Sequence, residues 1–195
     1  MRALIVLLAL GACLVMGGCS TVEVQSDYDP AADFASLKTY AWYAEEQPTT
    51  GDIRVDNPIV DSRIRTAVET QLNAKGYTKV DANPDFFLIY HAAVSKEIAV
   101  TTTTSTTVAY GGGYAHGGYG WGYVAAPMWV ETPTSYTYDK GTILVDIVDA
   151  KNEKLVWRGS AQAEVDESRT QQQREQRING AMKEMLANFP PKVKK

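Results

Sequence analysis

Apolar residues along this chain first occur as one unbroken run, Ala3 to Met16 (ALIVLLALGACLVM), and fall into alternating and helical spacings only after residue 19. Val22 and Val24 share one face of residues 20–29, which predicts a short strand stopped by Pro30. Residues 34–43 alternate as a second strand, with Leu37, Tyr40 and Trp42 turned to a core, and residues 45–58 read as a loop. Asn57 before Pro58 marks a helix start, because Asn accepts from a first-turn amide and Pro has no amide to leave unpaired. Val60, Ile64, Ala67, Val68 and Leu72 then recur at helical spacing. Asp61, Arg65 and Glu69 take the other side and Gly76 the stop, which makes an amphipathic helix of about five turns.

The run DFFLIYHAAV, residues 85–94, is apolar on both faces and predicts a central strand. Its β-branched continuation, Val100 to Val108, favours extended backbone. TILVDIVDA and KLVWRGSAQAEV form a hairpin about the polar turn at Lys151 and Asn152. A last helix starts near Ser168. Ile178, Ala181, Met182, Met185, Leu186 and Phe189 line its apolar stripe, a Gln- and Arg-rich remainder lines its other side, and Pro190 and Pro191 end it. Strands and helices do not alternate regularly. The expected fold is therefore α+β: a single antiparallel sheet with two amphipathic helices packed on one face and a long Gly/Tyr-rich hairpin insert.

That insert is residues 110–124, YGGGYAHGGYGWGYV, which hold seven of the chain's 15 glycines. Glycine maximises the backbone entropy lost on ordering, so the segment has no fold of its own. One reading is a flexible hairpin tip. The other is a partner-binding arm that presents Tyr110, Tyr114, Tyr119, Trp121 and Tyr123 for stacking on sugars, for a protein groove or for a membrane interface. It is not a phosphate loop, since it lacks the Lys and Ser/Thr and leads to Pro127 rather than to a helix.

The opening run changes the address. Arg2, an apolar core of roughly 14 residues, two small residues and Cys19 make a secretory signal, too short to cross a bilayer as a helix of ~20 residues. A cysteine behind Gly17 and Gly18 is the acceptor pattern of a lipoprotein signal, covering residues 1–18. Cys13 follows a similar box but would leave Leu14, Val15 and Met16 on the mature end. The expectation is a lipid on Cys19 and a single periplasmic domain over residues 19–195, anchored to the outer membrane. Acylation leaves no free thiol, so a disulfide, a zinc cluster and a cysteine nucleophile are excluded. With 19 Lys and Arg against 23 Asp and Glu, and Arg2 lost with the signal, the charge moves from −4 to about −5. Nucleic acid is not an expected partner.

Reactive groups are sparse. His91 and His116 have no second His or Cys at ligand spacing, so no metal and no cofactor are expected; His91 reads as a buried or half-buried strand residue and His116 as exposed. Common hydrolase and metalloenzyme motifs are missing. Asp139, Asp146, Asp149, Glu164 and Asp166 are the carboxylates near enough in the hairpin region to be named for acid–base chemistry.

The blocks GCSTVEVQSDYDPAADFASLKTYAW, PDFFLIYHAAV, GTILVDIVDAKNEKLVWRGSA and AMKEMLANFPP resemble the bacterial lipoproteins of the domain-of-unknown-function 4136 family over essentially the whole mature chain. Asp27 to Pro30, Trp157 to Gly159 and the Phe189, Pro190, Pro191 ending carry most of the resemblance, and Met16 stands where Leu is commoner. It implies an envelope lipoprotein with an α+β domain and supplies no catalytic residue. Ser20 after the lipidated cysteine looks like outer-membrane sorting. The function expected is a non-catalytic binding or assembly module at the outer membrane, partnered by an envelope protein or a glycan. The alternative is a glycan- or peptidoglycan-acting enzyme using paired carboxylates.

Overall fold

The computed structural model describes residues 22–44, 50–112 and 123–192. Strand β1 (Glu23–Tyr28) is followed by β2 (Thr39–Trp42), helix α1 (Pro58–Ala74), β3 (Thr78–Lys79), β4 (Phe86–Gly112), β5 (Tyr123–Asp149), β6 (Lys154–Glu164) and helix α2 (Gln171–Leu186). The six strands make one sheet in the order β1-β6-β5-β4-β2-β3. The class is α+β, but the sheet is mixed and not antiparallel throughout. β2 runs parallel to both β3 and β4, Tyr40 facing Lys79 on one side and Phe86 on the other. The reason is two returns of the chain: α1 carries it back so that β3 runs with β2, and residues 80–85 carry it back again so that β4 starts beside β2 in the same direction. Sequence alternation marks strands without marking their direction.

Both helices form where capping and periodicity place them. Asn57 accepts a hydrogen bond from the Val60 amide at 3.0 Å, and Gly76 takes φ +88° just beyond α1. Thr170 and Gln173 make a reciprocal capping box at the start of α2, two residues past Ser168. Ile64, Ala67, Val68 and Leu72 of α1 and Ala181, Met182, Met185 and Leu186 of α2 are buried.

Contacts fix which strand residues the helices meet. The Tyr40 hydroxyl reaches Asn73 at 3.2 Å, the Trp42 indole donates to Glu69 at 2.7 Å, and the Tyr90 hydroxyl donates to Asp61 at 2.6 Å, all tying α1 to β2 and β4. Gly159 on β6 lies under α2, since a Cβ there would stand 2.7 Å from the Met185 Cγ and 2.3 Å from the Trp157 ring. Phe189 is fully buried just beyond α2, in ring contact with Phe34, Tyr77, Phe86 and Trp157. Those aromatics fill one end of the core. Asp146, the buried charged side chain, makes a two-pronged pair with Arg158, at 2.7 Å on each prong.

The chain divides into two compact units, residues 1–95 with 139–195, and residues 96–138. The second consists of the distal parts of β4 and β5. There Thr101 to Thr107 are exposed, as are Ile98, Val100, Met128, Trp129 and Tyr136. The Ser105 hydroxyl donates to the Val130 carbonyl at 3.4 Å. Its extended backbone follows from β-branched content and not from burial.

Candidate functional site

The inner face of the first unit carries large side chains at one end and mostly small ones at the other. On β6 the alternate residues are Trp157, Gly159, Ala161 and Ala163; opposite them on β5 stand Ile147, Val145, Ile143 and Gly141. On β4 the buried alternates Phe86, Leu88 and Tyr90 give way to Ala92. Where the rings stop, small residues leave space. The result is a cleft of about 200 Å³, floored by Val60, Ala92, Ile143, Ala161, Ala163 and Ile178.

Arginines line it. Arg54, Arg63, Arg169, Arg174 and Arg177 belong to the cleft, five of the eight arginines in the chain, accompanied by Glu164 and Asp166. Two of the five are already engaged. Arg54 bridges Asp52 at 2.6 Å and Asp139 at 2.9 Å, and these partners hold its guanidinium above the usual range while Asp52 is held down at about 2. Arg169 pairs with Asp166 at 3.3 Å. Among the described residues, no ion pair joins Arg63, Arg174 or Arg177 to a carboxylate. The Nη2 of Arg177 is buried without a hydrogen-bond partner, and burial pushes this guanidinium below its usual range, with Arg169's charge adding to the effect. A buried donor without an acceptor is costly, so this is where the cleft has unused binding capacity.

The residues named from sequence are dispersed. Cys19, Tyr114, His116, Tyr119 and Trp121 lie outside the described residues, and Tyr110 and Tyr123 fall within β4 and β5. His91 is exposed, contrary to the buried or half-buried position expected, because the pleat turns Tyr90 and Ala92 inward and His91 to the opposite face. The five carboxylates do not assemble. Asp139 and Asp146 are held by Arg54 and Arg158, and Asp149 accepts from the turn amide of Lys151 at 2.7 Å. Glu164 and Asp166 alone among them line the cleft. Hydrogen bonds from the Ser168 hydroxyl and amide hold Asp166 below the usual carboxylate range, the reverse of what a proton donor at neutral pH needs.

Sequence reading missed the arginine cleft because it placed the arginines of the last helix on the side away from the apolar stripe. The signal was there: Arg174 and Arg177 precede Ile178 and Ala181 at spacings of four, so they continue the apolar stripe toward its N-terminal end. Among the described residues no group of three His, Cys, Asp or Glu is placed to hold a metal ion, and no helix is long and apolar enough to cross a membrane.

The family described as "Domain of unknown function (DUF4136)" matches residues 24–191. No curated protein matches the chain. Among solved structures, a PDZ domain protein from Parabacteroides distasonis is similar over 88% of this chain, with TM-score 0.52 and 16% identity. The match spans 36% of that protein, about a third of its length, and the likeness concerns the fold alone. Two crystal forms of the PelC dodecamer from Paraburkholderia phytofirmans align over 86% of this chain and 95% and 96% of theirs, at 12% and 11% identity and TM-scores of 0.42 and 0.44.

Proposed function

The chain belongs to the DUF4136 family, and from that premise we propose that it is a non-catalytic binding module of the cell envelope, held at the outer membrane by a lipid on Cys19 and facing the periplasm. The observation that carries this reading is the cleft itself: an apolar floor under a cationic mouth. Such a site suits a ligand with an apolar body and an anionic group. The Gly/Tyr-rich hairpin with Tyr110, Tyr114, Tyr119, Trp121 and Tyr123 is the second contact surface of this reading, offered to an envelope protein or a glycan.

The address is tested by labelled palmitate. Incorporation into the wild-type chain and its loss, together with release from the membrane fraction, in Cys19→Ser is the expected result; unlabelled wild type fractionating as the variant does would remove the anchor. The module is tested by photocrosslinking from position 119 in intact envelopes. A discrete adduct that is lost when Tyr114, Trp121 and Tyr123 are changed to alanine, with the crosslinker kept at position 119, supports it, and an unchanged adduct removes those rings from the interface.

A glycan-acting enzyme remains the second reading, favoured by one observation, that Glu164 and Asp166 share the cleft. Against it, no aromatic ring is among the described residues that line the cleft, so these offer a sugar no platform to stack on. Turnover of peptidoglycan fragments by the purified chain, abolished in Glu164→Gln, would establish the enzyme and displace the module.

A further inference from the structure

Resting on the binding-module reading, we propose that the cleft takes a single-chain anionic amphiphile, its alkyl tail on the floor of Val60, Ile143, Ala161 and Ile178 and its phosphate or carboxylate head against Arg63, Arg174 and Arg177.

Charge complementarity selects the head. The chain as a whole is acidic, at −4, yet the described residues lining the cleft count five Arg against one Glu and one Asp, and with Asp52 and Asp139, which hold Arg54, the local balance is still positive by one charge. Planar guanidinium forks match the oxygens of phosphate and carboxylate in pairs. Arg177 lines the cleft and has a buried donor nitrogen that no protein acceptor reaches, and a turn of this guanidinium toward an anionic oxygen at the mouth would supply the missing acceptor.

The floor selects the tail. Aliphatic side chains and alanines offer nothing to hydrogen-bond, so a polar ligand buried there would leave its own groups unsatisfied. That argues against an acidic peptide, whose backbone amides would have to enter the same space. The volume of about 200 Å³ exceeds the ~150 Å³ that accommodates a benzene-sized apolar group. It has room for part of one alkyl chain and not for two. Placement agrees with a membrane source: Val22 lines the cleft, and from Cys19 to Val22 the backbone spans no more than about 10 Å. The head chemistry is shared by lysophospholipids and free fatty acids, so the test separates the two.

The test is native mass spectrometry of the full chain, extracted in a neutral maltoside detergent and titrated with dodecyl phosphate, dodecanoate, dodecanol or inorganic phosphate. One-to-one adducts are expected with dodecyl phosphate, dodecanoate or both, and the stronger of the two names the head group. Dodecanol and inorganic phosphate should bind about tenfold more weakly or worse, since each lacks one half of the recognition. Shortening the tail to butyl phosphate, below the length the cleft can cover, should weaken binding by about fourfold for each buried methylene lost, whereas decyl phosphate should bind nearly as dodecyl phosphate does. Arg177→Gln and the exposed-site variant Arg174→Gln, each with wild-type circular dichroism, should lose about tenfold toward dodecyl phosphate and little toward dodecanol. Equal retention of dodecanol, or arginine variants that bind as wild type does, would overturn the proposal. So would binding of an acidic peptide with no amphiphile bound. The underlying reading fails separately: a partner crosslinked through residue 119 while every amphiphile is rejected leaves the module standing without this ligand. An amphiphile that binds and is released chemically altered defeats the module instead.

Discussion

Two ends of one sheet face lie within the same compact unit and are built on opposite rules. At the end marked by Trp157, Phe86 and Phe189, rings meet rings, with Phe189 centred 5.4 Å from Trp157 and 6.0 Å from Phe86, and all three essentially inaccessible to solvent. At the end marked by Ala92, Gly141, Ala161 and Ala163, small side chains stop short of the helices and arginines stand at the opening. The first end is packed to density and stores stability; the second leaves contacts unmade and holds binding capacity. A sheet that tapers in side-chain volume thus separates folding from recognition along a few strand residues.

The largest test of this contrast is truncation at each end. Phe189→Ala should cost about 3–5 kcal/mol, because a ring removed from a closed aromatic cluster leaves a cavity its neighbours cannot collapse into. Ile143→Ala, at the cleft, should cost about 1 kcal/mol, since part of its surface already faces open space. Urea unfolding of both variants checks the pair, and equal losses would mean that the two ends do not differ in packing.

Enlargement should give the mirror result. At Gly159 a new methyl would lie 2.3 Å from the Trp157 ring and 2.7 Å from Met185, both buried, so Gly159→Ala should lose about 1–3 kcal/mol. Ala163→Val projects into the cleft and should change stability by no more than about 0.5 kcal/mol either way. Thermal melts compare the two directly. If Ala163→Val were as damaging as Gly159→Ala, the cleft would be a closed core and not a site.

How much of this contrast was legible in the sequence follows from what each pattern encodes. Helix α1 could be read from Asn57, Pro58 and the Val60 to Leu72 spacing because those signals are local, and the hairpin of β5 and β6 because its turn is short. The parallel pairing of β2 with β4 was not legible, since alternation of Tyr40 and Trp42 fixes a face and leaves the neighbour unspecified. Two-residue β3 is too short to carry a period. The cleft was hidden for a related reason. Arg54, Arg63, Arg169, Arg174 and Arg177 come from a loop, two helices and a connection, and each one alone reads as a solvated cation. Only the small residues Ala161 and Ala163 beyond Trp157 and Gly159, joined to the Tyr90, Ala92 step on β4, pointed to a missing volume.

A polar clamp sharpens the contrast at the packed end. The Asp85 carboxylate accepts from the Thr39 amide at 2.9 Å, from the Lys38 amide at 3.0 Å and from the Thr39 hydroxyl at 2.9 Å, and these bonds hold it below the usual carboxylate range. Its folded pKa lies below the unfolded value, so the stabilisation is complete above the unfolded pKa near ~3.9 and is lost as pH falls through the folded one. Asp85→Asn should cost about 1 kcal/mol at neutral pH, a figure reduced for the solvent around the group. The two unfolding curves should begin to converge as pH falls below about 4 and meet below the folded pKa of Asp85. A gap that persisted under acid would mean the ionised carboxylate is not what joins β2 to the start of β4.

The smallest expected effect belongs to the residue that carries most of the functional argument. Arg177 is desolvated, has Arg169's charge nearby and leaves one guanidinium nitrogen without an acceptor, so its presence gives the folded state little. Arg177→Gln removes the charge and keeps much of the aliphatic stem that covers the cleft wall, and its stability should stay within about 0.5 kcal/mol of wild type, on the favourable side if on either. Chemical denaturation at neutral pH and low ionic strength is the measurement. A loss above about 1 kcal/mol would make Arg177 part of the scaffold, and the distinction between an end that folds and an end that binds would have to be redrawn with the cationic mouth on the side of folding.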